Sequence, residues 1–167
     1  MIDLLEPIQV NDSKQWLLER GEDRSNPVVL FVHGGPGSPL MYFSRAFDDE
    51  FIKDFVVVHW DQRGSGKSFN PNEPNGKFHF QQYVEDGLTV ANYLKTKFKK
   101  SKILLVGHSW GTMVAFNMVA QRPDLFIALV TTGTVGNMAE MEQFRFQTVL
   151  SMIEKSGDQT AKEKIGR

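Results

Sequence analysis

Four short apolar runs dominate the chain: "PVVLFVHG" from Pro27, "FVVVHWD" from Phe55, "KILLVGH" from Lys102 and "FIALVTTG" from Phe126. Each is apolar at nearly every position rather than at alternate ones. Each therefore reads as a strand buried on both faces. Helical patterns separate them. "PLMYFSRAFDDEFIKDF" places Leu40, Phe43, Phe47 and Phe51 on one helical face. A helix is expected over 78–100, with Val84, Leu88, Ala91, Leu94 and Phe98 as its core stripe. "WGTMVAFNMVAQR" is an almost wholly apolar helix stopped by Pro123. This alternation predicts an α/β fold, an open and mostly parallel sheet with helices on both faces and right-handed crossovers. Ahead of it, "IQVNDSKQWLLERGE" reads as a hairpin turning near Asn11–Lys14. Pro71 to Lys77 reads as a loop, and after Gly136 a long amphipathic helix begins. Ligands of such sheets bind at the carboxyl ends of the strands. The glycine-rich stretches at Gly34, Gly64 and Gly107 all fall there.

Composition excludes several classes of function. A net charge of -1 gives no electrostatic reason to expect nucleic acid or an anionic membrane as partner. The absence of cysteine removes disulfides, thiolate catalysis and cysteine-based zinc sites. The start, "MIDLLEPIQV", lacks the basic residues and apolar core of a signal peptide, and no segment approaches the roughly 20 apolar residues of a membrane span. A cytoplasmic chain is the expectation.

Three motifs carry chemistry. "GHSWG", Gly107 to Gly111, lies between an apolar strand and an apolar helix. That is the context of a nucleophile elbow, which lifts the hydroxyl of Ser109 above the sheet. The N–H of Trp110, at the start of the helix, points where an oxyanion would develop. "HGGPG", His33 to Gly37, directly follows a buried strand. Alone it is an ordinary loop; paired with the elbow it is the place for a second oxyanion donor, with the N–H of Gly35 the best choice. Gly34 and Pro36 shape that loop, and Gly35–Pro36 is a candidate cis peptide. "DQRGSGKS", from Asp61, ends like a phosphate-binding loop, but Asp61 stands where that motif needs its first glycine. A nucleotide site is rejected. Asp61 and Arg63 are expected in a supporting ion-pair or hydrogen-bond network beside the site.

None of the four histidines, His33, His59, His79 and His108, reads as a general base. His33 braces its loop, His59 lies in a buried strand, and His79 starts a helix at the surface. The side chain of His108 points away from that of its neighbour Ser109. Asp124 reads as a turn residue. Glu140, Glu142 and Glu154 read as a solvated helix face.

Taken together, "FVHGGPG", "WDQRGSGKS" and "LLVGHSWG" resemble the α/β-hydrolase superfamily, and within it the proline iminopeptidase branch of serine aminopeptidases. The resemblance covers roughly 8–136, and "GTVGNMAEMEQ" looks like the start of that branch's helical cap. It implies Ser109 as nucleophile, the N–H groups of Trp110 and Gly35 as oxyanion hole, and no metal or organic cofactor. The implied activity removes an N-terminal residue, often proline, from a short peptide through an acyl-enzyme. Members of the family supply the triad aspartate and histidine after the cap. No histidine follows His108 here. The expectation is therefore an N-terminal part of a hydrolase: core in 1–136, an incomplete cap in 137–167, and little activity alone. The alternatives are an esterase, lactonase or amide hydrolase of the same fold, or a short non-catalytic hydrolase-like protein. Epoxide or haloalkane chemistry is disfavoured, because it needs an aspartate where Ser109 stands.

Overall fold

The computed structural model describes residues 1–72, 78–158, 160 and 164. They fall into two compact units, Met1–Thr134 and Val135–Arg167. The first is built on a six-stranded sheet. Strands β1 (Ile2–Val10) and β2 (Ser13–Gly21) form an antiparallel hairpin, closed by Asn11 and Asp12 between the paired Val10 and Ser13. Asn11 takes a φ of 51°, a left-handed conformation that asparagine tolerates in two-residue hairpin turns. The hairpin begins earlier than the sequence pattern shows, because β1 is largely exposed and its alternation is weak.

Strands β3 (Val28–Val32), β4 (Val56–Asp61), β5 (Ile103–His108) and β6 (Phe126–Thr132) follow. The order across the sheet is β1-β2-β4-β3-β5-β6. β2 meets β4 antiparallel; the β4–β3, β3–β5 and β5–β6 pairs are parallel. The mostly parallel sheet is therefore as the apolar runs predict.

Helices α2 (Phe80–Phe98) and α3 (Trp110–Gln121) pack on one face of the sheet. There Val28, Leu30 and Val32 join Val84, Leu94, Leu105, Val114 and Met118 in one buried cluster. Each such side chain contributes about 1.5–3 kcal/mol when fully removed from water. The capping residue of α2 is His79, whose N–H donates to the Gln82 side chain at 2.8 Å. The expected stripe is present, with Leu88 only partly buried. No helix among the described residues is long and apolar enough to cross a membrane.

The opposite face differs from expectation. Instead of one amphipathic helix, the segment after Pro39 forms a short α1 (Ser44–Phe47) between the 3-10 turns Met41–Phe43 and Phe51–Lys53. The phenylalanine stripe is not buried: Phe43 is 52% and Phe51 48% exposed. Asp48 is the reason. It is fully buried, and both of its carboxylate oxygens lie 3.0 Å from His59 Nε2, with Arg20 at 3.5 Å. Carrying that carboxylate to β4 bends the chain away from a continuous helix. His59 is thus a core histidine bonded through one nitrogen, stacked on Phe31 at 4.9 Å, while its Nδ1 has no partner among the described residues.

β6 is an edge strand in which only Phe126 is buried. Of the loop expected over 71–77, residues 73–77 lie outside the described residues, as does most of the charged stretch "AKEKIGR".

The second unit is chiefly α4 (Met138–Ser156), the amphipathic helix expected after Gly136. The Asn137 side chain caps it by accepting the N–H groups of Ala139 and Glu140. Gly157 ends it at a φ of 69°.

Candidate active site

β5 ends at His108 and α3 begins at Trp110, so Ser109 is the whole connection. Its backbone takes φ 51° and ψ −121°, outside the regions that L-residues favour. Such a conformation costs on the order of 1–3 kcal/mol and persists only when its surroundings hold it. Two fastenings do so. The Ser109 N–H donates to the Thr132 carbonyl of β6 at 2.9 Å. The Ser109 carbonyl accepts both the N–H of Thr112, at 2.8 Å, and its hydroxyl, at 2.7 Å. The sharp turn drives α3 against β3. A Cβ on Gly111 would stand 2.0 Å from the Val32 carbonyl oxygen, so no side chain fits there.

Trp110 is the first residue of α3, and its N–H therefore has no acceptor within the helix. Its ring is held edge-on by Phe80, at 5.4 Å between centroids, and by Tyr83, at 5.7 Å.

β3 is the parallel neighbour of β5, which brings its following loop to the elbow. A Cβ on Gly34 would lie 3.0 Å from the Cβ of Ser109 and 3.3 Å from the ring of His108. Gly35 has a φ of 116°, and a Cβ there would stand 2.5 Å from the N of Gly37. The backbone folds back so tightly that only glycine is accommodated. The Gly35–Pro36 peptide is cis, as the sequence invites. Ser109, Trp110, Gly34 and Gly35 are thus brought to one end of the sheet.

His33 braces this loop from beneath. It is 1% exposed, and its Nε2 accepts the Gln62 N–H at 3.1 Å. Nδ1 therefore carries the proton and donates to the Gly34 carbonyl at 2.8 Å. The Gln62 side chain donates in turn to the His33 carbonyl at 2.8 Å, and the Ser65 hydroxyl lies 3.0 Å from Nε2.

Burial pulls the His33 imidazole from its ordinary 6.5 down to about 4. An unfolded chain takes up this proton below pH 6.5, whereas the folded chain refuses it until about pH 4, so stability is lost as pH falls across that window. Asp61 and Glu19, both held up by burial, act in the opposite sense. The comparison with His33→Gln isolates the histidine. Between about pH 7 and 4.5 the parent chain should lose about 2–3 kcal/mol more than the variant in urea titrations. Equal losses would show that His33 protonates freely in the folded protein.

Arg63 and Asp61 both enter networks, but not with each other. Arg63 donates to Asp86 of α2, from Nε at 2.9 Å and Nη2 at 3.1 Å, and to Asp12 at 2.6 Å. Asp86 also accepts the side chains of Asn11, at 2.7 Å, and Gln15, at 2.6 Å. Asp61 accepts the Lys67 N–H at 2.7 Å. The residues that sequence reasoning missed are those that hold others in place: Asp86, Gln62, Ser65 and Thr112. Only Asp86 had a signal, since a motif arginine beside a buried strand needs a carboxylate.

Among the described residues no histidine or carboxylate hydrogen-bonds to the Ser109 hydroxyl. A cavity of about 720 Å³ lies elsewhere, between Leu5, Leu18, Pro39, Met41, Tyr42 and Asp61. Its lining includes no serine at a strand-to-helix turn, whereas Ser109 stands at one.

A family model described as the alpha/beta hydrolase fold matches residues 27–154. The chain belongs to that family. A Bacillus subtilis relative named probable aminopeptidase YbaC is 36% identical over 153 residues, which cover 92% of this chain and 48% of that protein. A proline iminopeptidase of Clostridium botulinum is 29% identical over 148 residues, 82% of this chain and 48% of the other. The crystal structure of an epoxide hydrolase from Vigna radiata superposes with a TM-score of 0.67 at 28% identity, over 81% of this chain and 41% of that one. This alpha/beta hydrolase chain spans about half the length of the relatives it matches.

Proposed function

We propose that this chain carries the nucleophile and oxyanion hole of a serine hydrolase of the aminopeptidase type. The observation that carries the reading is the backbone of Ser109, held at φ 51° between β5 and α3. The names of the bacterial relatives support a peptide substrate over an epoxide. So does a serine where epoxide chemistry needs an aspartate.

The Ser109 oxygen attacks the carbonyl carbon of the first residue of a short peptide. A base takes the hydroxyl proton. The oxyanion is met by the N–H groups of Trp110 and Gly35, which need no reorganisation as the charge develops. The intermediate collapses, the C–N bond breaks, and the protonated base gives its proton to the departing amine. Water then attacks the Ser109 ester and frees the N-terminal amino acid. The base and its orienting acid come from residues outside this chain. Gly34 and Pro36 shape the donor loop. Arg63 and Asp61 stiffen the adjoining strand end through Asp86 and Lys67 respectively. No step calls for a metal or an organic cofactor. Residues 1–136 act as the N-terminal part of the hydrolase core and 137–167 as the start of a helical cap.

Substrate class is tested on this chain combined with the part of the B. subtilis relative that it does not match. Prolyl or alanyl arylamide should be cleaved at least about tenfold faster than its N-acetylated analogue, because an aminopeptidase site binds the free amine. Equal rates, or preference for simple aryl esters, would replace the peptidase reading with an esterase.

A further inference from the structure

The cavity of about 720 Å³ on the hairpin flank of the sheet has the size of a small-molecule site. Its lining comes from β1, β2, the end of β4, the segment after Pro39 and the turn at Gly66, all within residues 3–67. β3 and β5 stand between β4 and the far edge of the sheet. Leu5, Leu18, Pro39, Met41 and Tyr42 make apolar walls. Two charged residues of the lining lack a counter-charge. Asp61 is 2% exposed. Its Oδ2 accepts the Lys67 N–H at 2.7 Å, but its Oδ1 has no hydrogen-bond partner among the described residues. A buried acceptor without a donor is rare. The following turn wraps tightly on this carboxylate, so that a Cβ on Gly66 would stand 2.1 Å from Oδ2. Lys67 is exposed, and its ammonium lies over the Trp16 ring at 5.1 Å with no carboxylate partner among the described residues. Arg45, by contrast, is paired with Asp3 at 2.9 Å.

We propose that this cavity binds a small zwitterion, an α-amino acid with an apolar side chain. The ammonium of the ligand meets the Asp61 carboxylate, its carboxylate meets Lys67, and its side chain lies against the apolar walls. The cavity holds one unpaired carboxylate and one unpaired ammonium, and a free amino acid presents the reverse pair on a single carbon. A purely apolar ligand would leave Oδ1 without a donor. A carboxylate alone would be set beside Asp61 with nothing to offset the repulsion. Burial pushes the Asp61 carboxyl up, and an ammonium beside it favours the ionised form. The proposal does not rest on the hydrolase reading, since Ser109 takes no part in it.

The test titrates this chain with L-phenylalanine and follows the backbone amides by NMR. Saturable shifts should gather at Met41, Gly66 and Lys67, with a Kd of about 1 mM or tighter. N-acetyl-L-phenylalanine lacks the ammonium and phenethylamine lacks the carboxylate; each should bind at least about fivefold more weakly. Asp61→Asn keeps an acceptor for the Lys67 N–H and should weaken L-phenylalanine roughly tenfold or more. Lys67→Gln changes an exposed position and leaves folding intact, so it decides the matter if the buried variant does not fold; it should weaken binding about threefold or more. No saturable shift up to about 20 mM would mean that the cavity holds water alone, and would overturn the proposal. So would affinity unchanged by both substitutions, or equal affinity for either truncated ligand. Shifts confined to Ser109 and Trp110 would overturn it too, by placing the amino acid at the elbow.

Discussion

Ser109→Ala should abolish arylamide turnover by the completed hydrolase, lowering kcat by about 10⁴-fold or more. KM and thermal stability should change little. In the proposed mechanism the hydroxyl oxygen bonds to the substrate, and no other side chain of the elbow can replace it. Stability should survive because the oxygen has no hydrogen-bond partner among the described residues. Alanine bears the same backbone cost at φ 51° as serine does. Ser109→Gly is the informative companion. It removes the nucleophile and relieves the conformation, so this chain should gain about 1 kcal/mol while the completed enzyme stays dead. Stability measured by urea and rate measured with a prolyl arylamide separate the two effects. Turnover that persists in Ser109→Ala would assign the chemistry to another residue.

The second large effect concerns Asp86. Asp86→Ala should cost this chain about 3–5 kcal/mol, seen as a shift in the urea midpoint. Asp86 is wholly buried within α2 and accepts from Asn11, Gln15 and Arg63 together. Aspartate is a poor helix former, so it is here for those partners rather than for the helix. Its removal strands a buried guanidinium and the side-chain amide of Gln15, which also binds the Trp60 indole at 2.7 Å. The remaining partner, Asp12, is 74% exposed on its side chain and screened by water. A loss below about 1 kcal/mol would mean that water reaches Arg63 from this side.

The legibility of this chain was uneven for physical reasons. β3, β4 and β5 could be read because burial on both faces leaves continuous apolar runs that only a covered strand explains. The elbow was readable because a strained turn needs its glycines at fixed spacing. β6 has the same composition as the central strands, and its exposure follows from its place at the edge of the sheet. The segment 39–55 misled for a different reason. Its phenylalanines are spaced for a helix, but Asp48 is claimed by His59 and Arg20, which lie outside the segment. Asp86 shows only indirectly, through the motif arginine Arg63 that needs a carboxylate. The base is the opposite case: His33 is buried beneath the donor loop and His59 lies in the core, so neither reads as a general base.

The order of the strands in space has a consequence in time. β4 lies between β2 and β3, although both of those precede it along the chain. When the hairpin and β3 have left the ribosome they have no common border to zip together. They must wait for the roughly 30 residues that end in β4, which at about 5–20 residues per second takes roughly 2–6 s. During that interval the valine-rich β3 is bare, and a holding chaperone would find its first grip there. Slowing translation just before residue 56 should lengthen this exposure and lower the soluble yield without altering the final fold.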